Sequence, residues 1–306
     1  MSDSSSETRF SRRNWLQTGS TAAIAAAAAS LHKRLGAEEE ALGENKGRVN
    51  HSACKWCYKG ITLEELCIAG KEFGLTSIDL LQPADFPTLK KHDYTCAMIS
   101  NPTAELNGQK IGGIGKAWNR VEHHDALVEA YHTQIDASAA AGMTNVICFS
   151  GNRDGLDDEV GIENCAKGLK RIMKRAEEKG VVITMELLNS KVNHKDYQCD
   201  HTAWGVELCK AIGSDHFKLL YDIYHMQIME GDVIATIRES KDYISHYHTG
   251  GVPGRNEIDD TQELNYPAII RAVVETGYKG FVAQEFIPAR EDKIASLRQG
   301  VEICDV

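Results

Sequence analysis

From residue 49 onward, short apolar runs alternate with longer stretches in which apolar residues recur every three or four positions. The longer stretches predict amphipathic helices, as in the series Leu127, Tyr131 and Ile135. Thr62 and Glu65 have the spacing of a capping box at the start of the first helix. The short runs predict eight β-strands, at Val49 to Lys55, Thr76 to Leu81, Thr95 to Ser100, Asn145 to Ser150, Val181 to Leu188, Phe217 to Tyr224, Ile244 to Thr249 and Phe281 to Phe286.

Eight strands that alternate with helices over about 250 residues predict an α/β fold, a (β/α)8 TIM barrel rather than a doubly wound sheet. In such a barrel the C-terminal ends of all eight strands meet at one mouth. The segment 102–120 contains GQKIGGIGKAWN and is too rich in glycine for a helix, which predicts a long loop. Its glycines and lysines could cradle a phosphate, but no complete strand-loop-helix phosphate motif is present, and a lid is the preferred interpretation.

The composition favours one catalytic domain that acts on small molecules. The chain has 306 residues, of which 42% are hydrophobic, a formal net charge of -10 and a pI near 5.7. A nucleic-acid groove or a basic membrane-facing surface would need clustered Lys and Arg. The acidic balance therefore argues against both partners.

The first thirty residues are predicted to be an export signal. The string FSRRNWLQTGSTAAIAAAAAS places Arg12 and Arg13 before an alanine-rich run, which is the layout of a twin-arginine signal. We expect this segment at residues 1–30 with cleavage near Ala29, a polar linker at 31–48, a TIM-barrel catalytic domain at 49–306, and export to the periplasm. An uncleaved alanine-rich helix is the alternative. A stable membrane span is not expected, because the run is short and only weakly apolar.

The cysteines do not indicate a disulfide framework. There are nine, an odd number, and they are scattered through the predicted strands and helices. Cys54 and Cys57 have the spacing of a zinc or redox pair, but no second pair follows them. We expect both to be ordinary residues at the end of the first strand.

Acidic or imidazole side chains lie near the C-terminal ends of the last four predicted strands. Glu186, Asp222 and Glu285 belong to strands five, six and eight, and strand seven contains His246 and His248. Three buried carboxylates without a cation would be unfavourable by several kcal/mol. Three oxygen donors and one imidazole suit Mg²⁺ or Mn²⁺, and Co²⁺ is also compatible, whereas zinc usually has more His or Cys ligands.

Three strings, YDIYHMQIMEGD, PGRNE and ELNYP, resemble the hydroxypyruvate isomerase branch of the xylose isomerase-like TIM barrels. The resemblance extends from about residue 49 to the end of the chain. It implies substrate-binding roles for His225 and Arg255, and dimers or tetramers are common in the family. It also implies an acid/base pair, Glu186 and Glu285, within a set of four metal ligands: Glu186, Asp222, His248 and Glu285.

By this resemblance the expected activity is a metal-dependent aldose-ketose isomerase that converts hydroxypyruvate to tartronate semialdehyde through an enediolate. The well-known bacterial hydroxypyruvate isomerases carry Gln at the position of His248, whereas the related ketose epimerases carry His. An epimerase, or another sugar isomerase or lyase of the superfamily, is therefore the alternative. A sugar-binding barrel without turnover is a third interpretation, which the presence of both glutamates opposes.

Three neighbouring residues have structural interpretations beside the functional ones. Arg255 could pair with Glu257 or Asp259 in its own loop instead of with a substrate. His246 is predicted to face the opposite side of its strand from His248 and to be structural. Glu230 is predicted to lie in the first turn of a helix, where a carboxylate is favoured by the helix dipole.

Overall fold

A curled parallel β-sheet with surrounding helices forms the part of the chain that the structure describes. The computed structural model describes residues 47–306. Its strands are β1 (Asn50–Cys54), β2 (Leu75–Asp79), β3 (Ala104–Leu106), β4 (Gln109–Ile111), β5 (Asn145–Cys148), β6 (Val182–Glu186), β7 (Phe217–Asp222), β8 (Ile244–Thr249) and β9 (Phe281–Gln284). Seven of them form one sheet in the order β2-β1-β9-β8-β7-β6-β5. This arrangement confirms the predicted (β/α)8 barrel class.

The predicted third barrel strand, Thr95 to Ser100, is not a regular strand, because it bends at residues 97 and 98 and makes only isolated bridges. Ile99 bridges to Leu81 on one side and to Val146 on the other, so the segment joins β2 to β5. The backbone N–H of Ile99 donates to Asn145 O at 2.9 Å. Leu80 has a φ of 61°, which turns the chain out of the extended conformation directly after β2.

Helices follow most of the barrel strands. The predicted capping box is present, since Glu65 N donates to Thr62 Oγ1 at 3.2 Å and Thr62 N donates to Glu65 Oε2 at 2.7 Å. The helices are α1 (Leu63–Lys71), α2 (Phe86–Lys91), α3 (His124–Ala140), α4 (Asp158–Lys179), α5 (Thr202–Ile212), α6 (Ile223–Met229), α7 (Val233–Ser240), α8 (Tyr266–Glu275) and α9 (Lys293–Cys304). Their apolar faces and the strands bury one hydrophobic core.

Two local predictions need correction. The segment 102–120 is not a plain loop, because β3 and β4 pair within it as a short antiparallel hairpin. Glu230 does not lie in the first turn of its own helix, since it follows α6 directly. Its carboxylate instead accepts hydrogen bonds from Thr202 N at 2.5 Å and Thr202 Oγ1 at 2.8 Å, and so stabilises the N-terminus of α5.

The predicted twin-arginine segment, residues 1–30, and residues 31–46 of the predicted linker lie outside the described residues. Within residues 47–306, no helix is both long enough and apolar enough to cross a membrane. All nine cysteines are described, and all are free and buried. This agrees with the prediction that they form no disulfide framework.

Candidate active site

Four adjacent strands bring together the carboxylates and the imidazole that the sequence analysis singled out. Glu186 ends β6, Asp222 ends β7, His248 lies in β8 and Glu285 directly follows β9. Asp222 pairs in register with His248, and all four side chains are buried. One ligand atom from each lies within 4.8 Å of those of the other three. The geometry is therefore that of a candidate metal centre, and the individual ligand roles stay a prediction.

Glu285 is the most densely paired of the four. Its Oε2 accepts from Arg255 Nη2 at 2.5 Å and lies 2.8 Å from His248 Nδ1, while Oε1 accepts from Trp56 Nε1 at 2.8 Å. Burial opposes ionisation, but His248 and Arg255 hold the pKa of Glu285 well below its usual value. Glu285 is therefore a carboxylate held in its ionised form.

Glu186, in contrast to Glu285, has few polar partners. Its Oε1 is buried without a hydrogen-bond partner among residues 47–306, and the nearest imidazole nitrogen, His248 Nδ1, is 3.7 Å away. Burial raises the pKa of Glu186, and the charge of Glu285 adds to the rise. This carboxylate oxygen accepts no hydrogen bond among residues 47–306 and lies beside two further carboxylates, so the donor set fits a divalent metal ion.

Asp222 has both a structural contact and a contact with the site. Its Oδ1 accepts from His225 N at 3.1 Å, which caps α6, and its Oδ2 accepts from Arg255 Nη2 at 3.1 Å. Burial raises the pKa of Asp222 to about 8, against the opposing effect of Arg255. The strand end and the helix start thus fix this carboxylate at the barrel mouth.

Arg255 lies inside the cluster. It donates to Asp222 and Glu285, and its guanidinium carbon is 5.3 Å from the ring centroid of Trp56 and 5.2 Å from that of Tyr224. Its φ of 59° is unusual for a residue with a side chain and turns it inward from the loop.

The alternative pairing of Arg255 is wrong. Glu257 instead accepts from the backbone N–H groups of Ala289 and Arg290, and Asp259 forms an ion pair with Arg290.

His225 lies beside Arg255. Its Nε2 is 3.0 Å from Arg255 Nη1, and its Nδ1 accepts from the backbone N–H of Asn189 at 3.1 Å. Burial and the guanidinium lower the pKa of His225 well below its usual value. The structure thus brings both predicted substrate-binding residues to the edge of the carboxylate cluster as a neutral imidazole and a cation.

The predicted orientation of the His246 side chain is wrong. Residues two apart on a strand face the same side, so His246 and His248 both point into the barrel, with ring centroids 5.1 Å apart. His246 Nε2 lies 2.6 Å from Asp79 Oδ2, and His248 Nε2 lies 3.7 Å from the same oxygen. Asp79 also accepts from Ser52 Oγ at 2.6 Å. His246 is therefore buried as expected, but it holds a carboxylate that faces His248.

Three residues near the site were missed or placed too far from it. Asp79 ends β2 and faces the far nitrogen of His248, where a carboxylate can orient a ligating imidazole. Cys54, expected to be an ordinary residue, has its Sγ 3.7 Å from His248 Nε2, and burial raises its pKa well above the usual value. Trp56 is 40% exposed, yet its indole N–H contacts Glu285. The position of Asp79 at a predicted strand end could have indicated it, whereas nothing in the local pattern marks Trp56.

Comparison with known proteins agrees with the fold. A protein-family model described as xylose isomerase-like TIM barrel matches residues 88–304, well over half of the chain. A 2-oxo-tetronate isomerase of Cupriavidus necator is 34% identical over 109 residues, which are 36% of this chain and 41% of that protein. A hydroxypyruvate isomerase of Escherichia coli is 34% identical over 105 residues, 33% of this chain and 40% of that protein. The chain thus matches about two fifths of the length of these curated relatives.

Among solved structures, an AP endonuclease, family 2, from Brucella melitensis superimposes with a TM-score of 0.71 at 23% sequence identity. The superposition covers 81% of this chain and 96% of that one. At this identity the likeness establishes the fold alone. The family match spans residues 88–304 and with them all four residues of the cluster, so the chain belongs to the xylose isomerase-like TIM barrel family.

Proposed function

We propose that this protein is a metal-dependent aldose-ketose isomerase that acts on small hydroxy-keto acids, with hydroxypyruvate as substrate and tartronate semialdehyde as product. The observation that carries the proposal is the cluster of Glu186, Asp222, His248 and Glu285, whose ligand atoms lie within 4.8 Å of one another. The activities that the two curated relatives are named for support the same reaction class.

The positions of the two glutamates support a proton transfer between adjacent carbons. β6 and β9 are the outer strands of the four, so Glu186 and Glu285 flank the cluster from opposite sides. One glutamate removes the proton beside the substrate carbonyl and the other returns a proton to the neighbouring carbon, through an enediolate. The neutral imidazole of His225 hydrogen-bonds a substrate oxygen.

The substrate carboxylate needs a cationic partner, and Arg255 is the guanidinium that touches the cluster. Trp56 covers that guanidinium and holds Glu285 through its indole N–H. Glu186, Asp222, His248 and Glu285 would hold Mg²⁺ or Mn²⁺, and Co²⁺ also fits this donor set. A divalent ion, when bound, supplies positive charge near the substrate oxygens and makes the adjacent C–H more acidic.

A ketose epimerase is the second candidate, and the imidazole of His248 in the cluster favours it. Proton NMR of the purified full chain with Mg²⁺ or Mn²⁺, offered hydroxypyruvate and a panel of ketoses, separates the two. Conversion of hydroxypyruvate that stops with EDTA supports the isomerase. Epimerisation of a ketose with hydroxypyruvate untouched would replace it by the epimerase.

We also propose that residues 1–30 direct export by the twin-arginine route to the periplasm. The support is the order of Arg12, Arg13 and the alanine-rich run in the sequence.

A further inference from the structure

A cavity of about 620 Å³ lies between the glycine-rich segment and the ends of β2 and β5. Its wall includes Gln82, Ser100 and Asn101 from the barrel side, Lys110 and Lys116 from the hairpin and the turn after it, and Phe149. None of these residues belongs to the four-ligand cluster. The cavity is therefore a part of the barrel mouth that is distinct from the four-ligand cluster.

The cavity begins one strand away from Glu186. Cys148 of β5 pairs in parallel register with Met185 of β6, so the next residues, Phe149 and Glu186, are level with each other. Side chains that are level on neighbouring parallel strands point to the same face, and such strands are about 4.8 Å apart. Phe149 thus lines the cavity and is level with Glu186 on the neighbouring strand.

The outer wall of the cavity is fixed by hydrogen bonds. Gly112 N donates to Lys116 O at 2.7 Å, and Asn101 Nδ2 donates to Gly112 O at 2.8 Å. A side chain at Gly112 would meet Pro102 O at 2.7 Å, and its φ is 95°, so the glycine permits this close approach. Hydrogen bonds and a close backbone approach therefore hold the glycine-rich segment in place as one wall of the cavity.

The size and charge of the cavity select a class of ligand. Cavities of roughly 300–1,000 Å³ hold molecules much larger than a three-carbon acid. The two charged residues that line this one are Lys110 and Lys116, in a chain whose net charge is -10. Lys116 Nζ donates to the neutral amide oxygen of Gln109, and Lys110 stands across the hairpin from Glu105, which does not line the cavity. Two ammonium groups beside amide and hydroxyl side chains suit a hydroxylated chain that ends in an anion.

We propose that this cavity binds the far end of a substrate longer than hydroxypyruvate, an open-chain hydroxy-keto acid that carries a second anionic group, a carboxylate or a phosphate, at the end away from the reacting carbons. Lys110 and Lys116 contact that group. The inference rests on the proposed function, because it takes the four-ligand cluster as the place where the other end of the substrate reacts.

The test is a binding experiment with probes that cannot isomerise. Isothermal titration of the full chain with Mg²⁺ present compares D-glycerate and D-erythronate with tartrate and 4-phospho-D-erythronate. We expect a probe with a second anion to bind about tenfold more tightly, because its second anion forms partly exposed ion pairs with Lys110 and Lys116 that the single-anion probes lack. Preference for tartrate identifies a carboxylate end, and preference for the phosphate ester identifies a phosphate end.

Matched variants locate the effect. The double variant Lys110→Met with Lys116→Met should lose the gain, whereas the Arg pair at the same positions and Lys174→Met, on the exposed face of α4, should keep it. Thermal unfolding establishes that each variant is folded. Equal affinity for all four probes, or a gain that survives in the Met pair, would overturn the inference.

Failure of the inference is distinguishable from failure of the proposed function. Conversion of hydroxypyruvate by the wild-type chain, without any gain from a second anion, removes the cavity assignment and leaves the isomerase. A gain that depends on Lys110 and Lys116, without conversion of hydroxypyruvate, keeps the cavity assignment and removes hydroxypyruvate as the substrate.

Discussion

The two glutamates of the site should respond differently to the same substitution. Glu285 is an ionised, buried carboxylate paired with Arg255, His248 and Trp56. Glu186 has an unpaired, buried oxygen and a raised pKa. We expect Glu186→Gln and Glu285→Gln each to abolish turnover, because each removes one member of the proton-transfer pair. Their effects on the stability of the metal-free protein should have unequal size.

The magnitude follows from the contacts. Removing one partner of a buried ion pair is unfavourable by about 3–5 kcal/mol, because the other charge stays buried. In a domain of about 150–250 residues, 1 kcal/mol corresponds to roughly 2–4 °C in Tm, so Glu285→Gln should lower Tm by about 10 °C. Glu186→Gln removes a carboxylate whose Oε1 accepts no hydrogen bond among residues 47–306 and whose imidazole neighbour, His248 Nδ1, is 3.7 Å away, so its Tm should stay within about 3 °C of the wild type or rise.

The assay is thermal unfolding of both variants and the wild type in EDTA, with turnover of hydroxypyruvate measured on the same samples loaded with Mg²⁺. Added Mg²⁺ should raise the Tm of the wild type, because a ligand that binds only the folded state stabilises it. Equal losses of stability in the two variants would refute the charge distribution described here. Near-normal turnover in either would remove the two-glutamate mechanism.

Three further predictions concern the metal-facing imidazole, protonation and export. Asp79→Asn should weaken Mg²⁺ binding by about tenfold or more, measured by titration calorimetry, because the carboxylate no longer orients His248; unchanged affinity would exclude this role. The metal-free protein should lose stability from about pH 7 to about pH 8, because folded Asp222 and His248 keep protons that the unfolded chain releases, whereas buried histidines with lowered pKa values, such as His225, are by then mostly neutral in both states; a Tm in EDTA that rises over this range would contradict the assignment. Export should stop when Arg12 and Arg13 are both replaced by Lys, as followed by cell fractionation, and undiminished export would exclude the twin-arginine signal.

The barrel class and the cluster positions could be predicted because both depend on local periodicity. Apolar runs of strand length end at Asp222 and Glu186, and parallel strands carry such ends to the same mouth. The backbone turn at Leu80 could not be predicted, since nothing in the local sequence indicates a positive φ at a leucine. The direction of the His246 side chain could have been predicted, because residues two apart on a strand face the same side as each other.

The site contacts that could not be predicted join segments that are distant in sequence. Trp56 and Glu285 are 229 residues apart in sequence, and Asp79 and His246 are 167 apart. The partner of Arg255 depended equally on tertiary structure, because nearby Glu257 is occupied by backbone donors at 289 and 290. Sequence spacing offered Glu257 as a partner, whereas the fold brings the guanidinium to two carboxylates about 30 residues away.

The central claim is that a glutamate on each side of one cluster moves a proton between adjacent carbons. Its most direct test is proton NMR of the full chain with Mg²⁺ and hydroxypyruvate in D₂O. The account predicts tartronate semialdehyde with deuterium at C2, and no product after EDTA treatment or with Glu186→Gln. Product with protium at C2 would indicate direct hydrogen transfer between the carbons, and conversion that persists in Glu186→Gln would show that the proton takes another route.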